Sequence, residues 1–210
     1  MRRAPFPYNI TLGTDISNAR RILNWSNPAR FEHNAHGLSL LKRVLHKHDF
    51  VQLQRRFPWW QRPSAQPEAN VRRLSFFLAG RWAAKEAAKK AWRADLLGWR
   101  DLAVAGPPEI VCRVEDAPWD FDADELVDLA SEEDANVMVE QETDMAAAAA
   151  VDEQVARLSI SHDGEYAVAT VLATPLHADI LAALEQRQAK VDLRMQRTRP
   201  VQERANVKAG

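Results

Sequence analysis

Apolar and polar positions change rhythm along the chain, and each rhythm predicts an element. Tyr8–Asp15 is a run of β-branched and apolar residues with Gly13 near its end, which predicts a strand closing in a turn. Ile16–Trp25 sets Ile16, Ala19, Ile22 and Leu23 on one helical face, and Pro28 ends that helix. Leu38–Arg56 repeats the helical spacing through Leu41, Val44 and Leu45. Phe57–Pro67 holds three prolines and two tryptophans and reads as a loop with an apolar anchor. The strongest helix is Val71–Leu97, where Ala83, Ala84, Ala87, Ala88 and Ala91 give high helical propensity and Gly98 is placed to stop it. Trp99–Val104 and Glu109–Val114 predict a hairpin through Ala105–Pro108. Ala156–Ala173 predicts a second one around Asp163-Gly164. His177–Arg187 reads as a helix, and the residues after Gln188 as a basic tail that frays and then loses structure.

Composition adds a division that the pattern alone does not show. The chain has 210 residues, 46% hydrophobic and 27% charged, enough for one packed domain without staples. Its single cysteine, Cys112, excludes an internal disulfide and fits a reducing compartment. No apolar run is long enough to span a membrane, and MRRAPFPYN has no apolar core of signal-peptide length. The formal charge of −1 is a sum of opposites: Glu115–Glu153 carries 15 acidic residues and no basic one, which leaves 28 basic against 14 acidic elsewhere, or +14. A body so basic suits polyanions such as nucleic acid, phosphorylated cofactors or an acidic partner protein. The organisation that follows is one domain built from residues 1–114 and 156–187, an acidic, alanine-rich insertion at 115–155 expected to be disordered, and a basic tail at 188–210.

Three segments carry candidate chemistry. Gly13-Thr14-Asp15 puts a carboxylate at the end of a strand, where Asp15 serves equally well as a helix N-cap. Arg81–Ala91 places Glu86 and Lys90 one turn apart, beside a basic stripe of Arg81, Lys85 and Lys89. A carboxylate among cations suits a magnesium ion with phosphates around it, and the same spacing suits a solvated face of ion pairs. Small neighbours around Glu86 favour a helix packed closely against something. Ser159–Asp163 looks like a hydrolase trio, but strand alternation separates Ser159 and Ser161 from Ile160 and His162. His162, near the tip, is instead suited to donate to a phosphate or a carbonyl. His33, His36, His46 and His48 crowd one region, yet no second ligand set at zinc spacing accompanies them.

These pieces resemble the holo-acyl-carrier-protein synthase family, small 4′-phosphopantetheinyl transferases. The matching stretches are Gly13–Arg21 (GTDISNARR), Leu41–His46 (LKRVLH), Phe77–Ala91 (FLAGRWAAKEAAKKA), Gly98–Leu102 (GWRDL) and Leu158–Ala169 (LSISHDGEYAVA), in the family's order. The resemblance implies an α+β fold with a small antiparallel sheet packed against a long central helix. It implies transfer of the phosphopantetheine arm of coenzyme A, the co-substrate, to a serine of an apo-acyl carrier protein, with release of adenosine 3′,5′-bisphosphate. Asp15 and Glu86 take the family's Mg²⁺-ligand positions. Glu86, Lys90 and His162 take the catalytic ones, and Arg81, Lys85, Lys90 and His162 the coenzyme-binding ones. Compact members form trimers with the coenzyme site between subunits, so a homotrimer is expected, with no nucleic acid or membrane partner. The mitochondrial matrix and the cytoplasm both stay open. The acidic insertion departs from the family pattern. The competing expectation is a non-catalytic module that binds coenzyme A or an acidic protein through the same basic helix, which would have no use for both Asp15 and Glu86.

Overall fold

The computed structural model describes residues 8–25, 41, 43–60, 65–106, 108–114 and 151–207, with side chains to 195. His33, His36 and the acidic stretch from 115 to 150 lie outside the described residues, as do the expectations placed on them.

Strand β1 (Thr11–Asn18) leads into helix α1 (Ala19–Trp25), α2 (Lys47–Arg56) and the long α3 (Glu68–Ala91). A 3₁₀ turn (Trp99–Asp101) opens β2 (Leu102–Gly106), followed by β3 (Glu109–Arg113), β4 (Glu153–Asp163), β5 (Tyr166–Ala173) and α4 (Ala178–Val207). The strands form one antiparallel sheet in the order β1-β5-β4-β3-β2, with α3 across β1 and β5. This is the expected α+β arrangement, a small antiparallel sheet against a long central helix.

Several expected boundaries move. Gly13 does not close β1 in a turn; the strand runs through it to Asn18, taking Ile16 out of the helix. Asn18, not Asp15, caps α1, its Oδ1 accepting from the Arg21 N–H at 3.0 Å. Helix α3 ends at Ala91, where the Trp92 N–H reaches the Ala88 carbonyl, so Gly98 opens the 3₁₀ turn instead of stopping α3. Trp99–Asp101 is that turn and not strand, because Asp101 Oδ2 accepts from the Gly98 N–H at 2.6 Å and curls the backbone. Strand β4 begins at Glu153, inside the stretch assigned to the insertion. Helix α4 continues to Val207, where a frayed tail was expected. The Asp163-Gly164 hairpin forms as expected, with Gly164 at φ +55°, a left-handed conformation that favours glycine.

One face of the sheet carries the core. Ala83, Ala84, Ala87, Ala88 and Ala91 of α3 pack on Ala156, Leu158, Ala169 and Val171, with Ile180 and Leu184 of α4 closing the same layer. Leu41, Leu45, Phe50, Leu53 and Trp60 form a second cluster with Leu74, Phe77 and Leu78, on the first half of α3. On the opposite sheet face Leu12, Ile16, Val155 and Leu172 are exposed.

Gly13 shows why α3 is so rich in alanine. A Cβ there would lie 1.9 Å from the Ala87 carbonyl oxygen and 2.7 Å from the Ala91 nitrogen, so helix backbone meets strand backbone directly. Gly13→Ala must push the two apart along their whole contact. We expect it to cost about 3 kcal/mol or more in urea unfolding, at the upper end of overpacking penalties. A change under about 1 kcal/mol would show that the contact yields easily.

Candidate active site

The close approach of α3 and β1 sets the geometry of one corner. Thr11, Gly13, Asp15 and Ser17 alternate toward the helix. Chain direction follows from the core: Gly13 meets Ala87 and Ala91, whereas Ala19 packs in the cluster of Leu74 and Leu78, so β1 runs antiparallel to α3. Two strand residues advance about 7 Å, the length of about four to five helix residues. Asp15 is thereby level with the turn of α3 that carries Glu86.

Lys90 joins the two elements there. Its Nζ lies 2.7 Å from Asp15 Oδ1 and donates to the Thr14 carbonyl at 3.0 Å. Glu86 sits one turn before Lys90, with Lys89 Nζ at 3.9 Å from its Oε1. Lys89 also lies 4.9 Å over the Trp99 ring, which stacks obliquely on Trp82. Asp15 and Glu86 keep 17% and 29% side-chain exposure, enough for a ligand to reach both. Two hard carboxylates on a rigid helix–strand contact fit Mg²⁺, which keeps several waters and completes its shell with substrate phosphates. Among the described residues no group of three or more metal-ligating side chains gathers, so a complete protein cage is absent from them.

A second basic site lies on the other flank of α3. A cleft of about 630 Å³ is lined by Gln52, Arg56, Arg73, Arg81 and His162, with Phe76, Phe77 and Ile160 as its apolar walls. Alternation puts His162 on the same face of β4 as Ile160, as expected; that face is the one turned to α3, and the ring sits over Gly80. Its Nε2 is 3.4 Å from the Phe76 carbonyl, and its ring meets Phe76 edge-on at 5.2 Å. The Arg81 guanidinium lies 3.4 Å from the centre of the Phe77 ring and donates to Gln52 Oε1. Burial lowers its pKa to about 10, with Asp49 opposing the shift.

The sequence-derived residues therefore divide. Asp15, Glu86 and Lys90 share one corner, and Arg81 and His162 share the cleft. The two sets are two strands apart, since Asp15 pairs with Ala169 and Ala169 with Ile160, and His162 lies two residues beyond. That offset is about 12 Å between backbones, with α3, packed on β1 and β5, between them.

Lys85 belongs to neither set. It is completely buried, and its Nζ donates to the Val44 carbonyl at 2.7 Å, to the Trp99 carbonyl at 3.2 Å and to Asp49 Oδ2 at 2.7 Å. An ammonium has three N–H donors, so none is left for a phosphate. Burial lowers its pKa, and the charge of Asp49 works against that. The coenzyme-binding expectation for Lys85 is corrected accordingly: it clamps α3 to the 3₁₀ turn and to the segment before α2.

Asp49 is what the sequence reading missed. It sits at the third position of α2, where its carboxylate accepts from the His46 N–H while the His46 ring accepts from the His48 N–H, a capping box. Its other oxygen accepts from the Val104 N–H at 3.1 Å. Arg56 and Arg73 were also missed, lying in segments read only as helical. Asp49→Asn would leave the Lys85 charge buried without its counter-ion. We expect a loss of about 3–5 kcal/mol in denaturant unfolding; a loss under about 1 kcal/mol would show that Lys85 is not held by this pair.

Similarity to known proteins gives the family. Residues 11–171 match the family model of the 4′-phosphopantetheinyl transferase superfamily. The mitochondrial 4′-phosphopantetheinyl transferase B of Aspergillus fumigatus is 34% identical over 179 residues, covering 82% of this chain and 99% of that protein. A holo-[acyl-carrier-protein] synthase of Corynebacterium glutamicum is 35% identical over 112 residues, 51% of this chain and 73% of its own. Among solved structures, the Helicobacter pylori holo-[acyl-carrier-protein] synthase in complex with coenzyme A is similar at 21% identity and a TM-score of 0.37, covering 77% of this chain and 97% of that one. The chain belongs to the 4′-phosphopantetheinyl transferase superfamily, enzymes that pass the 4′-phosphopantetheine arm of coenzyme A to a carrier protein.

Proposed function

We propose that the chain transfers the arm of coenzyme A to a serine hydroxyl of an acyl carrier protein through a corner formed by Asp15, Glu86 and Lys90, whose two carboxylates would hold Mg²⁺. The observation that supports this reading is the Lys90–Asp15 ion pair at 2.7 Å, which joins β1 to α3 one turn past Glu86 at a helix–strand contact that leaves no room to shift. The serine oxygen attacks the β-phosphorus. A new O–P bond forms, the pyrophosphate bridge breaks, and adenosine 3′,5′-bisphosphate leaves with the electron pair. Glu86 takes the serine proton. Lys90, already directed at Asp15 and the Thr14 carbonyl, keeps positive charge where the phosphate oxygens gather. When bound, the cation neutralises charge on the transferring and leaving oxygens.

The cleft with Arg81, Arg73, Arg56 and His162 supplies cations and apolar walls for the nucleotide end of the coenzyme. Because α3 lies between this cleft and the Asp15 corner, we place the coenzyme between the corner of one copy and the cleft of a neighbouring copy. The homotrimer implied by the family resemblance provides such a contact, and the exposed sheet positions Leu12, Ile16 and Leu172 offer apolar surface to build it. No described helix is long and apolar enough to cross a membrane. We place the enzyme in the mitochondrial matrix, following the compartment in the name of its Aspergillus relative.

Apo-carrier incubated with the protein, coenzyme A and Mg²⁺ is expected to gain about 340 Da in intact mass, the covalent arm. A chelator should abolish the gain. Glu86→Gln should lower turnover at least about tenfold at saturating Mg²⁺. No mass gain on any carrier would leave a coenzyme A binder in place of an enzyme, and wild-type turnover in Glu86→Gln would remove the carboxylate from the reaction.

A further inference from the structure

Of the basic side chains that line the cleft, Arg56, Arg73 and His162 are exposed and Arg81 is buried. Arg81 lies flat on Phe77 with charged neighbours that move it in different directions. Asp49 Oδ1 attracts it from 3.6 Å, on the inner side, yet Arg81 Nε makes no hydrogen bond among the described residues. Arg56, 5.8 Å from the centre of the same ring, repels it. Asp49 is already engaged elsewhere, since its oxygens accept from the Val104 N–H, the His46 N–H and Lys85. What holds the guanidinium short of Asp49 is the bond from its Nη2 to Gln52 Oε1.

The Gln52 amide fits this place only one way round. Its Nε2 lies 3.4 Å from the Val104 carbonyl of β2 and 2.7 Å from His48 Nε2, one turn back along α2. A carbonyl only accepts, so the amide NH₂ belongs on that side, and the amide oxygen belongs against Arg81, which only donates. Turned over, the amide would set N–H against N–H at Arg81 and oxygen against oxygen at Val104. The β2 backbone therefore aims the amide, and the amide aims the guanidinium. Packing does not call for a glutamine here: the buried face of α2 is Asp49, Phe50 and Leu53, and Gln52 is half-buried beside the cleft. An arginine carries five N–H donors, so the bond to Gln52 leaves others for phosphate oxygens.

We propose that Gln52 is a positioning residue of the coenzyme site: its amide oxygen holds the Arg81 guanidinium over Phe77, in the cleft and short of Asp49, where it meets phosphate oxygens at the nucleotide end of coenzyme A. This rests on the transferase reading above. Gln52 has no charge of its own to offer a phosphate and acts through Arg81. Without the amide oxygen, the guanidinium closes on Asp49 Oδ1, its neighbouring carboxylate. The cleft then loses a cation that is already in place when the ligand arrives.

The test is a double-mutant cycle on the full chain, with adenosine 3′,5′-bisphosphate as the probe and titration calorimetry as the readout. The variants are Gln52→Met, which keeps the side-chain length and removes the acceptor, Arg81→Lys, and the two combined. Gln52→Met is expected to bind the probe about tenfold more weakly. Arg81→Lys should lose at least as much. The combined variant should bind no more weakly than Arg81→Lys alone, because without a guanidinium there is nothing for Gln52 to aim. In transfer assays Gln52→Met should raise the KM for coenzyme A about tenfold and leave the KM for carrier where it was. If Gln52→Met does not fold, Gln52→Ser, too short to reach Arg81, replaces it with the same expectation. Unchanged or tighter binding in the Gln52 variant overturns the inference. Additive losses overturn it too, because Gln52 would then act without Arg81; the transferase reading stands in each case. A full chain that transfers the arm but does not bind the probe overturns the cleft assignment along with the inference. A full chain that neither binds nor transfers overturns the transferase reading as well.

Discussion

Backbone-to-backbone contact between α3 and β1 is the constraint on which the rest depends. At Gly13 no side chain separates strand from helix, and the alanines of α3 hold the approach along the helix. An ordinary helix–sheet contact would insert a layer of large side chains, and with it room to slide. Here a shift of one ångström meets backbone atoms, so Asp15 is held against the last turns of α3, where Lys90 meets it. Lys90 spans the junction and balances the charge of Asp15.

The cations of α3 divide into two kinds of work. Lys85 is spent inside, where three acceptors and the Asp49 carboxylate hold it and tie together α2, the 3₁₀ turn and β2. Lys90 stays half-exposed at the corner, Lys89 is largely covered beneath Trp99, and Arg81 faces the opposite cleft. Burial makes the difference. A buried charge is retained only with its partners, so Lys85 confers rigidity. A half-exposed lysine keeps the freedom to exchange one anion for another.

Much of this was legible in the sequence. The alanine spacing gave the long helix and its packed face, Asp163-Gly164 gave the hairpin, and strand alternation set His162 on the face of Ile160, away from Ser159 and Ser161. What stayed hidden depended on partners far along the chain. A glycine in a strand marks either a turn or a close approach, and only the position of Ala87 decides for Gly13. The spacing of Arg81, Lys85 and Lys89 reads as one basic stripe, but the burial of Asp49 removes Lys85 from it. The separation of His162 from Lys90 follows from strand order, which local pattern does not contain. Helix α4 past Arg187 was read as a tail because its charge and polarity masked a continuing helical stripe.

Binding of Mn²⁺, a paramagnetic stand-in for Mg²⁺, in the presence of coenzyme A tests the central claim most directly. Water-proton relaxation should show tight Mn²⁺ binding to the wild-type protein. Asp15→Asn and Glu86→Gln should each weaken it at least about tenfold, as expected when both carboxylates ligate one hard cation. Wild-type affinity in either variant would contradict the account, because the two carboxylates would then not share a metal ion.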